Sequence, residues 1–153
     1  MPRVSESRFR VRYAETDQMG VVYYANYLVW MEIGRTDLCR ASGFSYHDLE
    51  REGGVSIAVA RAECRYQAPA RYDDEILVRT SLERLRSRTM TFSYQIDNAS
   101  TRKRLAEGRT THVTVGTDGK PKRLPERYLG LLAAFGKEWV PPGTDHLREK
   151  PYE

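Results

Sequence analysis

Extended and helical patterns of apolar residues alternate along this chain in an order that already suggests a fold. Near the start, Phe9, Val11 and Tyr13 interleave with Arg8, Arg10 and Arg12, the period-two signature of a half-buried strand. The period then changes. Over about residues 24–42, Tyr27, Leu28, Met31, Leu38 and Ala41 recur at near-helical spacing, and Trp30, Ile33 and Cys39 widen the apolar surface beyond one stripe. Gly43 follows as a stop. A linker, 44–54, carries a short helical turn and ends in Gly53-Gly54. Four extended runs come next: 55–67, closed by Ala68-Pro69; 75–84, with Ile76, Val78 and Thr80 on one face; 89–97, with Met90, Phe92, Tyr94 and Ile96 in alternation; and 104–117, ended by Asp118-Gly119. Pro125 opens a short helix through Tyr128, Leu129, Leu132 and Phe135. Residues 1–136 thus read as one folded domain, and the Pro-rich, charged stretch 137–153 as a loose C-terminal tail.

Short loops between the last three strands favour an antiparallel meander. A helix that is apolar around much of its circumference cannot rest on a flat sheet with its back to water. It needs a curved sheet around it or a second copy of the chain against it, so the pattern predicts an α+β domain that forms a dimer.

The 153 residues suffice for one domain with a real core, and the 40% hydrophobic and 30% charged content is that of a soluble globular protein. No apolar run approaches the roughly 20 residues of a membrane span, and residues 1–6 lack the apolar centre of a secretory signal, so a cytoplasmic protein without stable membrane insertion is expected. Cys39 and Cys64 form no CxxC pair, and His47, His112 and His146 are scattered. No metal site or cofactor is expected, and His112 reads as a strand residue. The net charge of +4 could suit nucleic acid, an acidic membrane surface or a polyanionic small molecule. The bases are dispersed, however, with local clusters at turns: 84–88, 102–104 and 120–123. Without a continuous basic stripe or a nucleic-acid motif, nucleic acid is not an expected partner.

The chemistry concentrates in residues 13–27, Tyr-Ala-Glu-Thr-Asp-Gln-Met-Gly-Val-Val-Tyr-Tyr-Ala-Asn-Tyr. Here Asp17 lies on a glycine-containing turn just before the long helix. A helix start presents unpaired N–H groups and partial positive charge, suited to a developing oxyanion, and a nearby carboxylate can serve as nucleophile or general base. Asp is also common as a plain turn or capping residue. Glu15 could support Asp17 but is expected to be surface-exposed. Asn26 can cap or orient the helix, and the charges of Glu32 and Arg35 suit a helix–helix or dimer contact.

The Tyr-x-Glu-Thr-Asp-x-x-Gly-x-Val-Tyr-x-x-x-Tyr pattern and the order of elements resemble the hot-dog-fold acyl-CoA thioesterases, in particular the 4-hydroxybenzoyl-CoA thioesterase family. The segments 65–70 and 73–76 match a weaker second pattern of that family, and the likeness spans roughly residues 8–135. The resemblance implies an antiparallel sheet wrapped around a long central helix, with dimers that join sheets edge to edge and often form tetramers. It implies Asp17 as catalytic carboxylate, Tyr24 as the residue whose backbone N–H polarises the thioester carbonyl, and Gly20 as the glycine that lets the backbone approach substrate. Many short-chain relatives have histidine where Tyr24 stands; the aromatic-acyl branch resembles this chain in having tyrosine.

The expected reaction is hydrolysis of a short-chain or aromatic acyl-CoA to free acid and CoA. Tyr23 and Tyr27 are candidates to line the acyl pocket, although plain core is the commoner role of such aromatics. Arg86, Arg88, Lys122 and Arg123 are candidates for the CoA phosphates. The alternative is a binding module that holds an acyl-CoA or an acyl carrier protein without turnover. A pure binder has no need for a carboxylate at the carbonyl.

Overall fold

The computed structural model describes residues 3–136; the expected tail at 137–153 lies outside the described residues. Five strands form one antiparallel sheet: β1 (Val4–Arg10), β2 (Val55–Tyr66), β3 (Glu75–Leu85), β4 (Thr89–Asn98) and β5 (Arg104–Gly116), in the spatial order β1-β3-β4-β5-β2. β3, β4 and β5 are the expected meander. β1 adds to its β3 side and β2 to its β5 side, through pairings such as Ser7 with Val78 and Cys64 with Gly108. Among the described residues three α-helices accompany the sheet: α1 (Asn26–Ser42), α2 (Tyr46–Arg51) and α3 (Glu126–Gly136). The architecture is α+β, with the long helix laid across one face of the sheet.

The alternating residues named above explain the packing. Ile76, Val78 and Leu82 of β3 and Met90, Phe92, Tyr94 and Ile96 of β4 are all buried in the core that Trp30, Met31 and Leu38 of α1 enter from the other side. Gly34 lets the helix settle there: a Cβ at this position would collide with the side chain of Thr80 and lie 3.0 Å from Val78 Cγ1. α3 closes the far end of α1, with Tyr128 edge-on to Phe44 at 5.2 Å between ring centroids.

The first strand departs from expectation. It ends at Arg10, and Tyr13-Ala14-Glu15 form a 3-10 turn in which Tyr13 is 78% exposed. Val11 still exchanges backbone hydrogen bonds with the 73–74 loop (Val11 N–H to Asp74 O, 2.9 Å). Beyond it, the Arg12 N–H donates to the Glu15 carboxylate at 2.8 Å, which turns the chain away from the sheet.

α1 buries one face, not most of its surface. Leu28, Val29 and Ile33 are about two-fifths exposed, at 40%, 44% and 37%. β2 is likewise a twelve-residue outer strand with Ala58, Val59 and Ala62 open to solvent. Among the described residues no helix is long and apolar enough to cross a membrane.

Candidate active site

Between the 3-10 turn and α1 the chain folds back on itself. Thr16 pairs with Val22 in an isolated bridge, Asp17 N–H donates to Val21 O at 2.9 Å, and Gly20 N–H donates to Asp17 O at 3.0 Å. Gly20 takes φ +76°, a left-handed conformation that any side chain would strain, so the backbone turn itself calls for glycine. The Asp17 carboxylate is exposed. One oxygen, Oδ1, accepts the Met19 N–H at 2.8 Å; the other has no partner among the described residues.

The returning leg leads into the helix. Tyr23 N–H donates to Glu15 O at 2.8 Å, and Asn26 N–H to Tyr23 O at 2.9 Å. Among the described residues, the N–H groups of Tyr24 and Ala25 meet no acceptor. Ala25 is the N-cap and offers no side-chain cap; Asn26 orients the start instead, donating from Nδ2 to Glu15 O at 2.8 Å. The turn thus carries an uncommitted carboxylate oxygen on one leg and unpaired donors at the positive end of a helix dipole on the other.

Glu15 corrects the sequence expectation. It is 5% exposed, and its Oε2 accepts the Trp30 indole N–H at 2.8 Å inside the core. Periodicity could not reveal this, because the partner lies fifteen residues away on another element.

Aromatic rings surround the site. Tyr24 stands edge-on to Tyr23 at 4.7 Å and to Tyr66 at 6.4 Å; Tyr27 meets Tyr66 at 5.1 Å and Trp30 at 4.7 Å. The Tyr66 hydroxyl donates to Tyr24 O at 2.9 Å. Tyr23 and Tyr24 are exposed, so they can touch a ligand. Tyr27 is 2% exposed and its hydroxyl accepts from Ala70 N–H, which makes it a wall of the core within one chain. Burial raises the Tyr27 and Tyr66 phenols, and a hydrogen bond with Tyr24 raises Tyr23, so these groups stay neutral near pH 7. Sequence reading missed Tyr66 and also Arg71, whose Nη1 lies 4.0 Å from where a Gly20 Cβ would be.

The four basic candidates are brought together, but elsewhere. Arg86 and Arg88 flank the β3–β4 turn, and the 120–124 segment runs beside it, with Leu124 N–H donating to Ser87 O at 2.7 Å and Lys122 N–H to Thr114 O at 2.9 Å. Along β5, Thr114 is eight residues from Ala106, the partner of Tyr66; at ~3.3 Å per residue the basic turns stand roughly 25 Å from the Asp17 end of the same chain.

A second polar group lies under the middle of α1. His112 and Tyr94 both bond Thr110 Oγ1, at 2.7 and 2.6 Å, and the charge of buried Arg35 reaches Cys39, Tyr46, Tyr94 and His112. Burial, then Arg35, lowers the His112 pKa to about 3; burial raises the Cys39 thiol to about 12. Both are neutral at pH 7. Glu32 is exposed, so it is not the buried partner of Arg35. A groove of about 560 Å³ on the sheet face away from α1, lined by Glu63, Arg65, Ser93, Gln95, Glu107 and Arg109 among others, is not part of the Asp17 turn. No cluster of three or more metal-ligating side chains occurs among the described residues.

Residues 11–135 match the model of the thioesterase-like superfamily. The chain belongs to this family. It is 45% identical over 95 residues to the putative acyl-CoA thioesterase YneP of Bacillus subtilis, covering 62% of this chain and 68% of that one. Among solved structures, it resembles the hypothetical protein TT1821 of Thermus thermophilus (37% identity, TM-score 0.79, 86% and 97% of the two chains). It also resembles the DHNA-CoA thioesterase of Staphylococcus aureus (31% identity, TM-score 0.79, 88% and 89%). The hot-dog fold and the thioester-hydrolase family inferred from residues 13–27 are those of these relatives.

Proposed function

We propose that this thioesterase-family enzyme hydrolyses short-chain or aromatic acyl-CoA thioesters to the free acid and CoA, with Asp17 as the reacting carboxylate. The observation that carries this reading is the pairing of an uncommitted Asp17 oxygen with the unpaired Tyr24 N–H on opposite legs of one turn. The thioester carbonyl oxygen, lodged at the Tyr24 N–H, gains negative charge as the carbon is attacked; such a donor is typically worth about 3 kcal/mol in the transition state. Asp17 either adds to the carbonyl, giving a mixed anhydride that water cleaves, or takes a proton from the attacking water. In both routes the C–S bond breaks, the thiolate leaves, and water supplies the acid's new oxygen. Tyr23, Tyr24 and Tyr66 offer ring edges and faces to the acyl group, which suits a planar acyl chain as well as a short one.

A homodimer accounts for the remaining features. The open edge of β2 and the exposed Leu28, Val29 and Ile33 are surfaces that a second copy would cover. Two β2 strands joined antiparallel set the beginning of one beside the end of the other. The partner copy's basic turn, with its Arg86, Arg88, Lys122 and Arg123, would then face this copy's Asp17 end, where CoA phosphates need cations.

The test is release of free thiol from a panel of aliphatic and aromatic acyl-CoAs by wild type and Asp17→Asn. A loss of about 10²-fold or more in folded Asn variant supports the reading. Equal rates would remove Asp17 from the reaction, and binding without turnover by either protein would make the chain an acyl-CoA binder.

A further inference from the structure

Glu15 uses every polar atom it has. Its N–H donates to Arg12 O at 3.0 Å, its Oε1 accepts Arg12 N–H at 2.8 Å, and its Oε2 accepts the Trp30 indole at 2.8 Å. Its carbonyl accepts twice, from Tyr23 N–H and from Asn26 Nδ2, both at 2.8 Å. The Arg12 guanidinium stands 3.4 Å from Oε1 and supplies a counter-charge at the surface side. These bonds join three segments: the exit of β1, the start of α1 and the interior of α1. Asp17 follows Glu15 by two residues on one leg of the turn, and the unpaired Tyr24 N–H follows the Tyr23 bond on the other.

We infer that Glu15 is a positioning residue for thioester hydrolysis, fixing the Asp17 carboxylate and the Tyr24 N–H relative to each other through the Trp30 indole. The inference rests on the hydrolase reading above. A buried carboxylate is costly unless its oxygens are satisfied, and here both are. The fold therefore retains a charge in its interior at the one residue from which both reacting groups are suspended. Satisfying the buried Trp30 indole would by itself need only one acceptor oxygen. Acceptors on both oxygens are needed to hold the turn in one orientation. Glutamine has one acceptor oxygen and an NH₂ group, so Glu15→Gln keeps the volume while setting a donor against either Arg12 N–H or Trp30 Nε1. Displacement of the turn by about 1 Å is enough to lose 10²-fold in rate.

The experiment compares kcat, KM, thermal midpoint and amide exchange at Tyr23 in wild type, Glu15→Gln, Trp30→Phe and the double variant. Folded Glu15→Gln is expected to lose about 30- to 100-fold in kcat with KM changed less than about threefold, and to exchange the Tyr23 amide faster. The double variant should lose no more than Glu15→Gln alone, because both changes break one linkage. A folded Glu15→Gln with kcat within threefold of wild type overturns the inference. Where Glu15→Gln does not fold, Trp30→Phe decides: a kcat loss of about tenfold supports the linkage, and an unchanged kcat overturns it. If wild type turns over no thioester, the hydrolase reading fails on its own. Tyr23 exchange then judges the anchoring, and protection unchanged in Glu15→Gln overturns it.

Discussion

Two sets of polar side chains meet α1 about 14 Å apart along its axis, and they are built on opposite terms. At the helix start, Asp17, Tyr23, Tyr24 and Arg71 are exposed, with hydrogen-bonding capacity left unspent. Beneath the middle, Arg35, Tyr94, Thr110 and His112 are buried, and His112 is held neutral. Unspent capacity at the surface costs little, because water fills it until a ligand arrives. The same capacity in the interior costs stability; there Tyr94 and His112 share Thr110 Oγ1, and His112 Nδ1 is left buried without a partner among the described residues. Chemistry is therefore expected at the first set and stability at the second.

Exchanging the readouts tests that division. The largest effect should come from Asp17→Asn: about 10²-fold or more in kcat, with the thermal midpoint within a few degrees of wild type, by thiol release and calorimetry. Gly34→Val should do the reverse. Its branched side chain meets Thr80 and Val78, and chemical denaturation should show a loss of about 2–3 kcal/mol. Activity per folded molecule should change far less.

The pH dependence follows from His112. Its folded pKa, about 3, lies below the ordinary 6.5, so the unfolded chain accepts a proton that the fold refuses. The contribution is whole above pH 6.5 and declines as pH falls toward 3, by at most about 1.4 kcal/mol per pH unit. Denaturation midpoints for wild type and His112→Gln across this window should show the slope in wild type and a flatter course in the variant. The smallest effect belongs to the basic turn. Lys122→Ala with Arg123→Ala should raise KM for an acyl-CoA by about three- to tenfold and leave KM for a thioester without the nucleotide unchanged.

Much of this was legible in the residues. Met90, Phe92, Tyr94 and Ile96 alternate because β4 buries one face, and Gly20 marked the turn that needs a left-handed backbone. Local periodicity carries such facts. It failed at Tyr13, whose alternation with Arg12 persists in the sequence although the chain has already left the sheet. The cause is the bond from Arg12 N–H to the Glu15 carboxylate. Glu15 itself read as a surface acid because its burial depends on Trp30. The meeting of the 86–88 turn with the 120–124 segment rests on one backbone bond, Leu124 to Ser87, between stretches far apart in sequence. No residue type announces a pairing of that kind, and the same holds for the addition of β1 and β2 to opposite edges of the meander.

Tyr66 closes the outer strand, and its hydroxyl grips the carbonyl of Tyr24. The rim of the sheet and the donor-bearing turn are thus mechanically in series, with one bond between them. A twist of that rim bears through this bond on the Tyr24 peptide unit, where the proposed reaction places the thioester carbonyl. On the proposed dimer and site, a neighbour seated on β2 is expected to bear on turnover itself, and dilution is expected to slow the catalyst before it unfolds it.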